Sequence, residues 1–256
     1  MTRAVPLAPR RALREVGLVA GGLLIYFLIR GNVVDRATVA ARNALDLIRL
    51  EQSLGIFWEP AMQRWVLESS FQVRLWNWVY FWLHAPTIVL VGLWLLLWHE
   101  RQYVLMRNAF LASAVLGLLC YSLYPVAPPR LMEGLGFVDT MREYSTVSYQ
   151  AESLRPFVNP YAALPSLHFG WAFLCAVGIW LARRDSWSVL VGILLTASMG
   201  IAIIFTANHY IVDGVAGWIV CTTGLGGALW WDRGRPLPWR RAALRHHHGA
   251  GAPGTI

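Results

Sequence analysis

Residues 186–231 read SWSVLVGILLTASMGIAIIFTANHYIVDGVAGWIVCTTGLGGALWW, and Asp213 is the one formally charged side chain among them. The run is too long for a single membrane crossing, which takes about 20 apolar residues. Its hydropathy is interrupted once, by NHYIVDG at 208–214. It therefore reads as two spans, from the uncharged runs Ser186–Val212 and Gly214–Trp231, meeting at a tight break near Thr206–Asn208. A histidine and an aspartate at such depth are costly unless they are used. This stretch sets the fold class and also the place to look for chemistry.

The same pattern recurs on the N-terminal side, with uncharged runs at Val16–Ile29, Leu75–Trp98, Asn108–Pro129 and Phe157–Ala182. Hydrophobic residues make up 57% of the chain and charged ones 14%, against about 25% charged in an ordinary soluble domain. The first run is short, but Ala12 and Leu13 extend it while Arg14 and Arg30 snorkel. No small-residue cleavage site follows it, so it reads as a retained span. The expected fold is an all-α integral membrane protein, a bundle of six transmembrane helices with an amphipathic interfacial helix. Residues 1–74 hold the first span and an extracytoplasmic amphipathic segment, 75–231 a five-helix catalytic core, and 232–256 a basic, disordered tail.

Every basic residue is arginine, and placement matters more than number. Arginines crowd the N-terminal tail, the stretches Arg101–Arg107 and Arg183–Arg184, and the tail from Arg233 onward. The longer opposite-side loops balance theirs with Asp and Glu. The positive-inside rule then puts both termini in the cytoplasm and NHYIVDG at the extracytoplasmic face. Topology accounts for the net charge of +8, so no nucleic-acid partner is expected. A multi-pass protein of the plasma membrane is. Cys120, Cys175 and Cys221 fall within apolar spans and read as buried thiols, not as a disulfide framework.

In the first outside segment, Ala37, Ala41, Ala44, Leu45 and Ile48 recur at helical spacing, with Arg42, Asp46 and Arg49 off that stripe. This predicts an amphipathic helix lying on the membrane surface, and a short helix near Pro60–Leu67 places Trp65 at the interface. Gly17 and Gly21 form a small-xxx-small pair suited to helix packing. The second outside loop, Pro125–Leu164, is proline-rich, irregular and stiff.

Topology brings three polar motifs to one depth. The third span runs outward and ends at YPVAPPR, 124–130. The fourth runs inward from Pro165 with Ser166 and His168 in its first turn; the sixth runs inward from Asn208 with His209 and Asp213. Four residues apart, His209 and Asp213 share one helix face. A carboxylate there fixes the imidazole tautomer that leaves the other nitrogen free to attack. Both helix starts point unpaired N–H groups at this face, a setting that binds phosphate, and Arg130 adds a planar cationic fork. His168 is placed to protonate a leaving oxygen. Together these parts predict phosphoryl transfer through a phosphohistidine. Set against these roles, Ser166 can be read as a plain helix-start residue, and Arg130 as an interfacial anchor. Tyr124, Asn208 and Tyr210 are candidates to support the site, whereas His84 is left outside the catalytic set.

PPR, PSLH and NHYIVDG resemble the three signature motifs of the type 2 phosphatidic acid phosphatase superfamily, over roughly residues 75–231. The likeness is greatest to its inositol phosphotransferase branch, related to inositol phosphorylceramide synthase. That resemblance implies His209 as nucleophile, Asp213 as its orienting partner, and His168 as general acid and then base. It implies Arg130 and Ser166 as phosphate ligands, with neither cofactor nor metal. The phosphatase branch carries a lysine where this chain has Leu123 and an arginine where it has Ile203. Fewer cations suit a phosphodiester, so the expectation leans toward head-group transfer from a phospholipid. With Arg155 or Arg142 supplying a missing cation, a phosphatase acting on lipid phosphate monoesters stays open. Three rivals stand beside it. A metal enzyme lacks H-E-x-x-H or other ligand spacing, and a serine hydrolase at Ser166 lacks the G-x-S-x-G elbow. A lipid transporter or scaffold lacks an internal repeat.

Overall fold

The structure, a computed structural model, describes residues 13–22, 24, 36–132, 134–144 and 159–233. Residues 13–22 are helical. Nine further α-helices follow among the described residues: α1 Ala37–Ser53, α2 Glu59–Leu67, α3 Ser70–Trp82, α4 His84–Trp98, α5 Glu100–Leu123, α6 Thr140–Tyr144, α7 Leu167–Arg183, α8 Ser186–Phe205 and α9 Ile211–Arg233. A 3-10 turn at Pro129–Leu131 lies between α5 and α6. No strand occurs among the described residues, although Val126 and Ala162 form an isolated parallel bridge. Arg30, Arg155 and the tail beyond Arg233 lie outside them.

Three helices, α5, α8 and α9, are long and apolar enough to cross a membrane. The expected second span is two helices, α3 and α4, bent by 40° at a short break. Its cause is Pro86, which lacks an N–H and whose ring collides with the carbonyl four residues back, at Trp82, where α3 stops. Counted as one span, the pair makes a fourth. α7 is apolar but has only 17 residues.

Side chains cap several helix starts. Ser69 Oγ accepts from Gln72 N, Asp185 Oδ1 from Ser188 N at 2.7 Å, and Ser166 Oγ from Phe169 N at 3.4 Å. Among the described residues, nothing lies within 4 Å of a Cβ placed on Gly17 or Gly21. The close approach is at Gly22, where a Cβ would come within 2.8 Å of Leu111.

α1 forms as expected but is rotated relative to the expected stripe. Ala40, Ala44, Leu47, Ile48 and Glu51 are its buried residues, whereas Leu45 is exposed. The reason is its partner. This face packs on Val126, Ala127 and Tyr210, and Ala127 N donates to the Ala40 carbonyl at 3.1 Å. Alanines admit backbone that closely; the expected membrane surface would have asked for leucines.

The core of the bundle is the packing of α9 on α5 and α7, with α8 and α4 also against α7. Glycine makes the α7–α9 crossing possible. A Cβ on Gly217 would lie 2.1 Å from the Ser166 carbonyl oxygen, and one on Gly170 would lie 2.7 Å from the Gly217 carbonyl. Both obstacles are backbone and cannot swing aside. We expect Gly217→Ala to cost more than the ~1–3 kcal/mol usual for overpacking. Thermal unfolding in detergent checks this, and an unchanged midpoint would contradict the crossing.

Candidate active site

The interruption between α8 and α9 is a tight, hydrogen-bonded reversal. Asn208 N and His209 N both donate to the Ile203 carbonyl at 3.1 Å. Ala207 sits at φ +51°, left-handed backbone that costs a non-glycine residue energy and persists only where its surroundings hold it. Holding it is the first motif: Arg130 N donates to the Ala207 carbonyl at 2.9 Å.

His209 lies in this reversal, ahead of the helix that begins at Ile211, so it does not share a helix face with Asp213 as the sequence reading had it. The two still meet, with His209 Nδ1 3.4 Å from Asp213 Oδ2. The shorter contact is different: Nδ1 lies 2.8 Å from the Ala163 carbonyl oxygen. A carbonyl only accepts, so this contact places the proton on Nδ1 and leaves the Nε2 lone pair outward. The tautomer anticipated from Asp213 alone is thus held chiefly by backbone. Asp213 is fully buried; its Oδ2 also accepts from Tyr210 N at 2.8 Å, and its own carbonyl accepts from Ser166 N at 2.8 Å.

His168 stands in the first turn of α7, its ring centre 5.8 Å from that of His209. It is flanked by Tyr80, stacked at 4.6 Å, and by His84 at 4.2 Å; His84 in turn stacks on Trp171. The Pro86 bend is what delivers His84 here, which the sequence reading left aside. Ser166 is fully buried, with its hydroxyl engaged as the cap of α7. Tyr121 OH donates to the Pro165 carbonyl at 2.8 Å and fixes the turn before it.

Arg130 reaches the residue beside His209. Its Nε donates to Asn208 Oδ1 at 2.8 Å, and Nη1 lies 3.4 Å from Asp139 Oδ2. Asn208 is buried and braced by Thr206, to whose Oγ1 it donates at 2.9 Å. Asp139, unmarked in the sequence reading, therefore offsets part of this cation's charge. Tyr210 is fully buried, whereas Tyr124 and Arg142 are exposed. Leu123 is exposed at the end of α5, and Ile203 is packed in the core, so neither position supplies a cation.

A further sequence expectation is overturned. The first N–H groups of α9 do not point into an open phosphate site, because carboxylates occupy them. Glu59 Oε1 accepts from Ile211 N at 2.8 Å and Glu51 Oε1 from Val212 N at 2.8 Å, beside the Asp213–Tyr210 contact. Both glutamates are fully buried. Burial pushes the Glu51 carboxyl up to about 9, and the neighbouring Glu59 carboxyl adds to the rise.

Apolar helices of spanning length define a multi-pass membrane protein. The chain belongs to the PAP2 superfamily, whose model matches residues 45–226. Members of that superfamily are phosphatases and phosphotransferases, so the protein is an enzyme of that kind acting on lipid. No curated protein matches the chain. No solved structure matches it either.

The native fold holds a proton on Glu51 that the unfolded chain releases near the ordinary carboxyl value of 4.5. Stability is therefore fully present below that value and declines as pH rises toward about 9. Unfolding midpoints measured across this range should fall with pH, and Glu51→Gln should flatten the fall.

Proposed function

We propose that the protein transfers the phosphorylated head group of a phospholipid through a phosphohistidine on His209, with inositol-phosphate-type transfer as the preferred reaction. The observation that carries this reading is the His209 ring, held at Nδ1 by the Ala163 carbonyl and Asp213, with the His168 ring 5.8 Å away.

In the first half-reaction His209 Nε2 attacks phosphorus and forms the N–P bond. The P–O bond to the leaving alcohol breaks, and protonated His168 gives its proton to that oxygen. Asp213 stabilises the positive charge that develops on the imidazole. In the second half-reaction an acceptor hydroxyl loses its proton to His168 and attacks phosphorus, releasing His209. Arg130 holds a non-bridging oxygen through the part of its fork that Asn208 and Asp139 leave. Ser166 sets the start of α7, and with it the reach of His168. Arg155 is a further phosphate ligand in this reading.

Charge supports transfer over monoester hydrolysis. Arg130 is shared with Asp139, Leu123 and Ile203 are apolar, and the start of α9 is carboxylate-capped. A phosphodiester monoanion suits such a site better than a phosphate dianion. We place the site at the extracytoplasmic face of a six-span protein of the plasma membrane, with both termini cytoplasmic and 75–231 as its catalytic core.

The test incubates purified protein with labelled phospholipids, with and without inositol-type acceptors, and identifies products. Acceptor-dependent head-group transfer is expected; release of inorganic phosphate from monoesters alone would favour the phosphatase reading. His209→Ala should abolish turnover. His168→Ala should lower it by about 10²–10⁴-fold and accumulate an acid-labile phosphoenzyme. Full activity in His209→Ala would end the scheme.

A further inference from the structure

Glu51 and Glu59 come from the two helices outside the bundle, yet each ends on a backbone N–H of α9 immediately after His209. These contacts link residues 161 and 152 positions apart in the chain. Both side chains are fully buried. Their Oε1 atoms cap Val212 N and Ile211 N, while both Oε2 atoms are buried without a hydrogen-bond partner. Tyr210 OH and Asp213 Oδ1, buried nearby, also lack one. Helix stability alone does not require this. A serine or asparagine before the helix caps it locally, whereas two imported carboxylates must be desolvated.

We propose that Glu51 and Glu59 are positioning residues for His209: they clamp the start of α9 and so hold the reversal that presents the imidazole to phosphorus. The inference rests on the head-group-transfer reading for its kinetic readout. The titratable groups facing the pair are Tyr210 in the reversal and Asp213 on α9. With an aspartate as a close neighbour, two ionised glutamates would repel; a proton on Glu51, shared with the Glu59 side chain, relieves this. At neutral pH Glu51 carries that proton, since burial pushes it up to about 9. The clamp then presents two acceptors to α9 without setting two like charges beside Asp213. Glutamine is the matching substitute at either position. Its carbonyl keeps the cap and its amide supplies the donor the shared proton supplied.

The experiment uses the full chain in detergent–phospholipid micelles. It measures kcat and KM on the phospholipid donor that the panel identifies, and reads the His209 ring by ¹⁵N-histidine NMR. Glu51→Ala and Glu59→Ala should each lower kcat about tenfold or more, as misplacement of a reacting group does, with KM unchanged. The His209 signals should leave the Nδ1–H tautomer. Glu51→Gln and Glu59→Gln should restore both. Wild-type kcat in the alanine variants would overturn the proposal, as would glutamine variants as damaged as the alanine ones. If the alanine variants do not fold, the glutamine pair decides: loss of kcat in a folded Glu51→Gln or Glu59→Gln protein sinks the clamp. Turnover retained in His209→Ala would defeat the functional reading instead, and the ring signals would then judge the clamp alone.

Discussion

Five residues between the end of α8 and the start of α9 leave the helical hydrogen-bond ladder inside apolar surroundings, where water cannot replace it. Every free backbone group there needs a partner from elsewhere, and the partners are the other motifs. Arg130 N meets the Ala207 carbonyl, Ser166 N meets the Asp213 carbonyl, His209 meets the Ala163 carbonyl, and Glu51 and Glu59 meet the first N–H groups of α9. Satisfying one break thus draws PPR, PSLH and NHYIVDG together. The side chains of the three motifs converge because the backbone between two spans would otherwise be unpaired. Gly217 permits the convergence, since no side chain fits between α9 and the Ser166 carbonyl.

The charge pattern follows from the same constraint. Acceptors were needed at a helix start in low dielectric, and carboxylates filled the role, which makes the surroundings of His209 more acidic than the arginine-rich composition implies. Among the described residues, Glu51, Glu59, Asp139 and Asp213 all lie within or beside the site, against one guanidinium placed next to Asn208. In the proposed reaction, the described residues offer an incoming phosphate little excess positive charge. On that proposal, binding strength comes from the lipid portion and from donors realigned in the transition state, and the substrate with less charge gains from that balance.

Much of this was legible in sequence. The apolar runs and the NHYIVDG interruption gave the helical membrane class, and antiparallel alternation put Arg130, Ser166, His168, His209 and Asp213 at one end. Two kinds of feature were hidden. Backbone acceptors leave no trace in side-chain spacing, so the Ala163 carbonyl on His209 could not be read, and Asp213 received the whole role. Contacts that depend on where a loop folds back were harder to read: Asp139 on Arg130 left no signal, and His84, open to lining the pocket or to plain burial, reaches His168 through a Pro86 bend that spacing did not show. Glu51 did leave a signal. It follows Leu47 and Ile48 at helical spacing, a carboxylate on the buried face of an amphipathic helix, which is costly unless it has a partner.

That carboxylate changes what α1 is. A helix floating at an interface buries hydrophobes in lipid and keeps its charges toward water. α1 instead directs Glu51 inward with its alanines, against Tyr210 and the start of α9, while Val39, Leu50 and Leu54 stay exposed on its other sides. It is a wedge between the apolar exterior and the reversal carrying His209. Its register is fixed from within, because a rotation of one residue, about 100°, would carry Glu51 off Val212 N and leave a buried N–H unpaired. The same rotation would swing Ala40 away from Ala127 N. The interfacial segment and the reversal are therefore one mechanical unit, although more than 150 residues separate them in the chain.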